Sequence, residues 1–131
     1  MNGKSSFELV RDWMIKAGQE CPPKTLDVFT RWELREALIK EGFEEYLEES
    51  SPFASTEYLK ELADLLIVVY GAFADLDIDA DEVVKIVMDN NTKKLESKVV
   101  RPDGKVTTSV EVKKKLKREV EQQLRALLFG D

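Results

Sequence analysis

The chain has 131 residues, 43% of them hydrophobic, and a formal net charge of −6. That length supports one domain with a real core, and the acidic balance argues against a general nucleic-acid binder. Histidine is absent and cysteine occurs once, as Cys21, which excludes the usual zinc sites, histidine-based proton transfer, thiol–histidine catalysis and an internal disulfide.

No apolar run approaches the roughly 18 residues of a membrane span, and the opening Met1-Asn2-Gly3-Lys4-Ser5-Ser6 lacks the apolar stretch of a signal peptide. A cytoplasmic protein without a membrane partner is expected. A first helix is expected from about Ser6 to Ala17, with Phe7, Val10, Trp13 and Met14 at helical spacing and Gly18 as its stop. Gly18 to Lys24, with Pro22 and Pro23, reads as a loop that holds Cys21 as an inert residue. Asp27 or Thr30 then offers an N-cap, Glu33 completing a capping box with Thr30, for a second helix that runs to about Glu49 and ends at Ser50-Ser51-Pro52. Ser55 or Thr56 caps a third helix to about Leu76, and Asp79 with Glu82 opens a fourth to about Lys98.

Leu65 to Ala74 is apolar almost all the way round, broken only by Gly71 and the hydroxyl of Tyr70. A surface helix needs one apolar stripe, so this one predicts a homo-oligomer, dimer or tetramer, with the third helix at or near the subunit interface. Residues from about 98 to 108 place β-branched side chains on either side of Pro102-Asp103-Gly104, the pattern of a small hairpin. Thr108 with Glu111 caps a final helix over about 109–128, with Val112, Leu116, Val120, Leu124 and Leu127 as its apolar stripe. Its basic run, Lys113, Lys114, Lys115, Lys117 and Arg118, reads as a solvated face. The expected fold class is all-α, a single-domain helical bundle over 1–131 with a small β-hairpin before the C-terminal helix.

The chemistry rests with carboxylates. Glu41, Glu44, Glu45 and Glu48 lie three and four apart, and Glu61 and Asp64 form a second pair downstream. On helices each set stacks along one face, and like charges at that spacing repel unless divalent cations lie between them. Continuing the face of Glu61 and Asp64 reaches Val68 and Ala72, so these two acids are expected to point inward, where an unpaired carboxylate is costly. Lys60 is read as lying on a different face, which leaves metal as the counter-charge. Hard ions, Mg2+ with Mn2+ as substitute, follow from an all-oxygen donor set, and carboxylate-held magnesium is the usual partner of phosphate oxygens. Phosphoryl chemistry on a nucleotide is the leading class.

These residues resemble the MazG-type all-α nucleoside triphosphate pyrophosphatases, whose pattern is Glu-Glu-x-x-Glu followed by Glu-x-x-Asp. The likeness is to the phosphoribosyl-ATP-pyrophosphohydrolase-like branch, through Gly18-Gln19-Glu20-Cys21-Pro22, Leu34-Arg35, Leu38-Ile39-Lys40-Glu41, Glu61-Leu62-Ala63-Asp64, Asn90-Asn91-Thr92-Lys93 and Asp103-Gly104-Lys105-Val106. It covers roughly Phe7 to Thr108. The resemblance implies Mg-dependent hydrolysis between the α and β phosphates of a (deoxy)nucleoside triphosphate, giving a monophosphate and pyrophosphate in a house-cleaning role. It assigns the metal to Glu41, Glu44, Glu45, Glu61 and Asp64, a general base to one spare carboxylate among Glu41, Glu44 and Glu45, and substrate contacts to Asn90 and Lys93. Taken alone, Asn90 is equally a helix-cap residue and Lys93 equally a solvated side chain.

One position departs from the pattern. A motif beginning at Glu41 has Gly42 as its second acid, whereas Lys40 to Glu44 loses only the first acid and Glu44 to Glu48 is complete but late. Alternative functions are therefore a phosphoribosyl-ATP pyrophosphohydrolase, or a non-catalytic nucleotide-sensing or oligomerisation module.

Overall fold

The computed structural model describes residues 3–23, 28–49 and 55–130. They fall into two compact units, Met1–Ala80 and Asp81–Asp131. Among the described residues there are five α-helices and a two-stranded antiparallel hairpin before the last helix, the expected fold class.

The first unit holds α1 (Ser6–Lys16), α2 (Val28–Glu48) and α3 (Thr56–Asp75). α1 starts on a reciprocal capping box: the Glu8 backbone N–H donates to Ser5 Oγ at 3.2 Å, and the Ser5 N–H donates to the Glu8 carboxylate at 3.1 Å. It stops where Gly18 takes φ +88°, a conformation that side chains with a Cβ rarely adopt. Phe7 and Met14 project into a small core with Ala74 and Ala80, and Val10, Cys21, Tyr70 and Phe73 pack around it. The Phe7 and Tyr70 rings meet at 6.0 Å and a 60° tilt, which fixes α1 against α3. Trp13, expected on the apolar stripe, is 64% exposed. Cys21 is half-buried, and burial, with Asp75 nearby, pushes its thiol up, which favours the protonated form.

α2 and α3 run antiparallel along one another. Arg31 and Arg35 meet Asp75, Gly42 meets Leu65 and Val68, Glu45 faces Glu61, and the Tyr46 and Tyr58 hydroxyls lie 3.2 Å apart. α3 is capped by Ser55, whose Oγ accepts from the Tyr58 N–H at 3.0 Å. Thr30 lies inside α2 and does not cap it, while Asp27, Ser50, Ser51 and Pro52 lie outside the described residues. A β-carbon built at the buried Gly42 meets Leu65 and Val68 at 3.5 Å, ordinary contact distances. Gly42→Ala is thus expected to stabilise the chain by about 0.5–1 kcal/mol through helix propensity, a rise in the urea midpoint that checks how closely the helices cross.

In the second unit, α4 (Ala80–Lys93) ends five residues before the expected Lys98, and Lys94–Ser97 tighten into a 3-10 turn. Strands β1 (Val99–Val100) and β2 (Val106–Thr107) pair Val99 with Thr107 and Val100 with Val106. The turn is closed by the Gly104 N–H donating to the Arg101 carbonyl at 2.8 Å. α5 (Val110–Phe129) is capped by Ser109 rather than Thr108. Thr108 is taken by the 3-10 turn instead: its hydroxyl donates to the Ser97 carbonyl at 2.9 Å and meets the Ser97 hydroxyl at 2.7 Å. Leu116 is the buried centre of the α5 stripe. Among the described residues no helix is long and apolar enough to cross a membrane.

Candidate metal centre

α2 carries Glu41 and Glu45 one turn apart, and α3 carries Glu61 and Asp64 one turn apart. Because the helices are antiparallel with Gly42 at the crossing, Glu45 comes against Glu61. The Glu45 carboxyl is raised above its ordinary value of 4.5, first by desolvation, then by the charges of Glu41 and Glu61 and by hydrogen bonding with both. Glu61 is the more enclosed partner: its side chain is 15% exposed, and Oε2 is buried with no hydrogen-bond partner.

Lys60 corrects the sequence reading. It is one turn from Asp64 and lies on the same face, with Nζ donating to Asp64 Oδ2 at 2.9 Å and standing 3.6 Å from Glu61 Oε1. Its side chain is 64% exposed, so the ammonium is a solvated, replaceable counter-charge. Among the described residues no group of three or more acids is closed around a single point as an ion would hold them, although Glu45 interacts with Glu41 and Glu61 together. The donor set fits a hard cation nonetheless: a buried carboxylate oxygen has no donor, and a neighbouring carboxyl is held up by like charge.

Glu44 is exposed and two residues past Gly42, about 200° round the helix from the face that meets α3. The structure brings Glu41, Glu45, Glu61 and Asp64 to one side of the helix pair and leaves Glu44 on the other. The side of α2 that meets α3 thus carries Glu41 and Glu45 with Gly42 between them in sequence.

The raised Glu45 carboxyl has a consequence for stability. A group whose folded pKa lies above its unfolded value binds more protons when folded, so stability falls as pH rises from the ordinary value of 4.5 through the raised one. Urea unfolding of metal-free protein is expected to show this fall above the ordinary glutamate range, with Glu45→Gln flattening it. A slope unchanged by that substitution would assign the effect elsewhere.

A second polar cluster escaped the sequence reading. Asp75 Oδ2 accepts from Arg35 Nε at 2.5 Å and from Arg31 Nε at 3.1 Å, all three side chains being at most 9% exposed. Arg35 Nη2 also donates to Gln19 Oε1 at 3.0 Å, and Arg31 Nη2 to the Glu20 carbonyl at 3.3 Å, which ties the loop after α1 to α2. A cleft of 310 Å³ lies over this cluster, walled by Phe29, Trp32, Ala72 and Leu76. The available signal was two arginines one turn apart facing an aspartate at the end of an apolar helix.

In the second unit, Asn90 is buried inside α4, not at its cap, and its Oδ1 has no hydrogen-bond partner. Lys93 closes α4 and pairs with Glu119 at 3.4 Å.

A family model matches residues 12–91, that of phosphoribosyl-ATP pyrophosphohydrolase. The match takes in α2, α3 and all four gathered acids. Among curated proteins none matches the chain.

Proposed function

The chain belongs to the phosphoribosyl-ATP pyrophosphohydrolase family, a family of hydrolases that cleave phosphate anhydrides in nucleotide-like substrates, and on that footing we propose that it is a Mg-dependent nucleoside triphosphate pyrophosphohydrolase. It cleaves the α–β bond of a (deoxy)nucleoside triphosphate, with monophosphate and pyrophosphate as products and a house-cleaning role. The observation that carries this reading is the enclosed Glu61 carboxylate, whose Oε2 has no donor while Glu45 and Glu41 crowd it. Glu41, Glu61 and Asp64 would hold the ion, with Glu45 left beside them as the spare carboxylate. Magnesium or manganese supplies neutralisation of phosphate charge there.

Glu45 is the spare carboxylate of this scheme and accepts the proton of the attacking water, as the water oxygen bonds to the α phosphorus and the bridging oxygen leaves with pyrophosphate. A bound ion would take the place of the solvated Lys60 ammonium as counter-charge to Glu61 and Asp64. Asn90 and Lys93 contact the substrate in this proposal.

The exposed Leu59, Leu62, Leu66 and Ile67 on α3 support a homo-oligomer, dimer or tetramer, built on that helix in one cytoplasmic protein of a single MazG-like domain. The matched family favours phosphoribosyl-ATP itself as a second reading of the substrate. A panel of nucleoside triphosphates and phosphoribosyl-ATP with magnesium, read by pyrophosphate release, is expected to show turnover of at least one triphosphate. Turnover of phosphoribosyl-ATP alone would move the assignment to that substrate, and magnesium binding without any hydrolysis would make the chain a sensor, with Gly42→Glu as the restoration to try.

A further inference from the structure

A cavity of 370 Å³ lies in the second unit between α4 and α5. Three ammonium groups, Lys94, Lys113 and Lys117, stand in its wall against one carboxylate, Glu121, a local inversion in a chain of net charge −6. Lys113 and Lys117 are one turn apart on α5 and face the same way. The rest of the basic run, Lys114, Lys115 and Arg118, takes no part in the wall. The run is therefore sorted, with one pair turned to the cavity and the others to solvent.

None of the three lysines is tightly held. Lys94 Nζ donates to Asn91 Oδ1 at 3.3 Å, Lys117 lies 4.0 Å from Glu121, and Lys113 makes no ion pair among the described residues. Asn90 also lines the cavity and is more than nine-tenths buried, with an Oδ1 that no donor reaches. An unpartnered acceptor at that burial is costly unless a ligand brings a donor to it. The lysines ask for anionic oxygens and the asparagine asks for one hydroxyl.

We propose that this cavity is a phosphate site that recognises a phosphate group still carrying one proton. The charged oxygens accept hydrogen bonds from Lys94, Lys113 and Lys117, and the P–OH donates to Asn90 Oδ1. Phosphate keeps such a hydroxyl at neutral pH and sulfate does not, so the two anions separate the roles of charge and proton. No bond is made or broken. Most of the site lies on residues beyond position 91, where the family match ends.

Calorimetric titration of the full chain, free of metal, with inorganic phosphate and then with sulfate tests this. Phosphate is expected to bind, with sulfate about tenfold weaker for want of the donor to Asn90. Lys113→Ala with Lys117→Ala is expected to weaken phosphate by about tenfold or more, whereas the charge-matched pair Lys114→Ala with Lys115→Ala leaves it within about twofold. All four lysines are exposed, so both variants keep the fold, which circular dichroism verifies. Absence of phosphate binding, equal affinity for sulfate, or equal loss in the two double variants would overturn the proposal. The site shares Asn90 with the proposed enzymatic reading, but none of these readouts involves turnover, so failure of phosphate binding and failure of hydrolysis are told apart.

Discussion

Asp75→Asn is expected to lower folding stability by about 3–5 kcal/mol, measured as a fall in the urea midpoint at unchanged slope. The carboxylate is the shared acceptor for two guanidinium groups that have almost no access to water, and among the described residues it is the only carboxylate paired with either. Removing its charge leaves two buried cations without a counter-charge among the described residues, with the new amide oxygen, Gln19 and the Glu20 carbonyl as neutral acceptors. Domains of this size hold roughly 5–15 kcal/mol in all, so the variant should be near the edge of folding. Gly71 shows how closely the cluster is fitted: a β-carbon there falls 2.7 Å from Arg35 Nη1, so any larger residue would have to push the guanidinium aside. A midpoint that stays within experimental scatter would mean that water, and not Asp75, solvates the two arginines.

Glu61→Gln is expected to act in the opposite sense on stability while removing activity. Without metal, the substitution replaces an enclosed carboxylate beside two others with a neutral amide, so the urea midpoint should rise. Turnover with magnesium should fall by about a hundredfold or more, because the most enclosed oxygen ligand of the proposed centre has lost its charge. Glu44→Gln removes the same charge from the far side of α2 and should leave turnover within about twofold. Equal losses at Glu61 and Glu44 would show that overall charge matters and position does not; full activity in Glu61→Gln would remove it from the site.

Local chemistry made much of the fold legible. Ser55 before the third helix and the turn around Asp103-Gly104 act within a few residues, and each sits where its spacing places it, while the Ser5–Glu8 capping box, equally local, emerges with the structure. The misplaced cap at Thr108 has a non-local cause. Thr108 and Ser109 offer equivalent hydroxyls, and the choice falls to Ser109 because Ser97, eleven residues upstream, occupies Thr108. Distance in sequence also hid the Arg31–Asp75 pair, whose members are 44 positions apart. Within the acids, the spacing of Glu41, Glu44, Glu45 and Glu48 left three registers open, and only the burial of Gly42 against Leu65 and Val68 says which side of α2 meets α3. Lys60, expected on a different face from Glu61 and Asp64, reaches both because it lies one turn from Asp64 and its long side chain spans the gap to Glu61.

The antiparallel pairing of α2 and α3 makes the two ends of this hairpin unequal. Arg31, Arg35 and Asp75 bolt one end with opposite charges, while Glu41, Glu45 and Glu61 push the other end apart with like ones. The acidic end is also the end where the chain passes from α2 to α3, and the Tyr46 and Tyr58 hydroxyls meet there at 3.2 Å, so the like charges are held together by connection and not by attraction. Amide exchange should therefore run slow around Arg31, Arg35 and Asp75 and faster beside Glu45 and Glu61, and added magnesium should slow it at the acidic end alone.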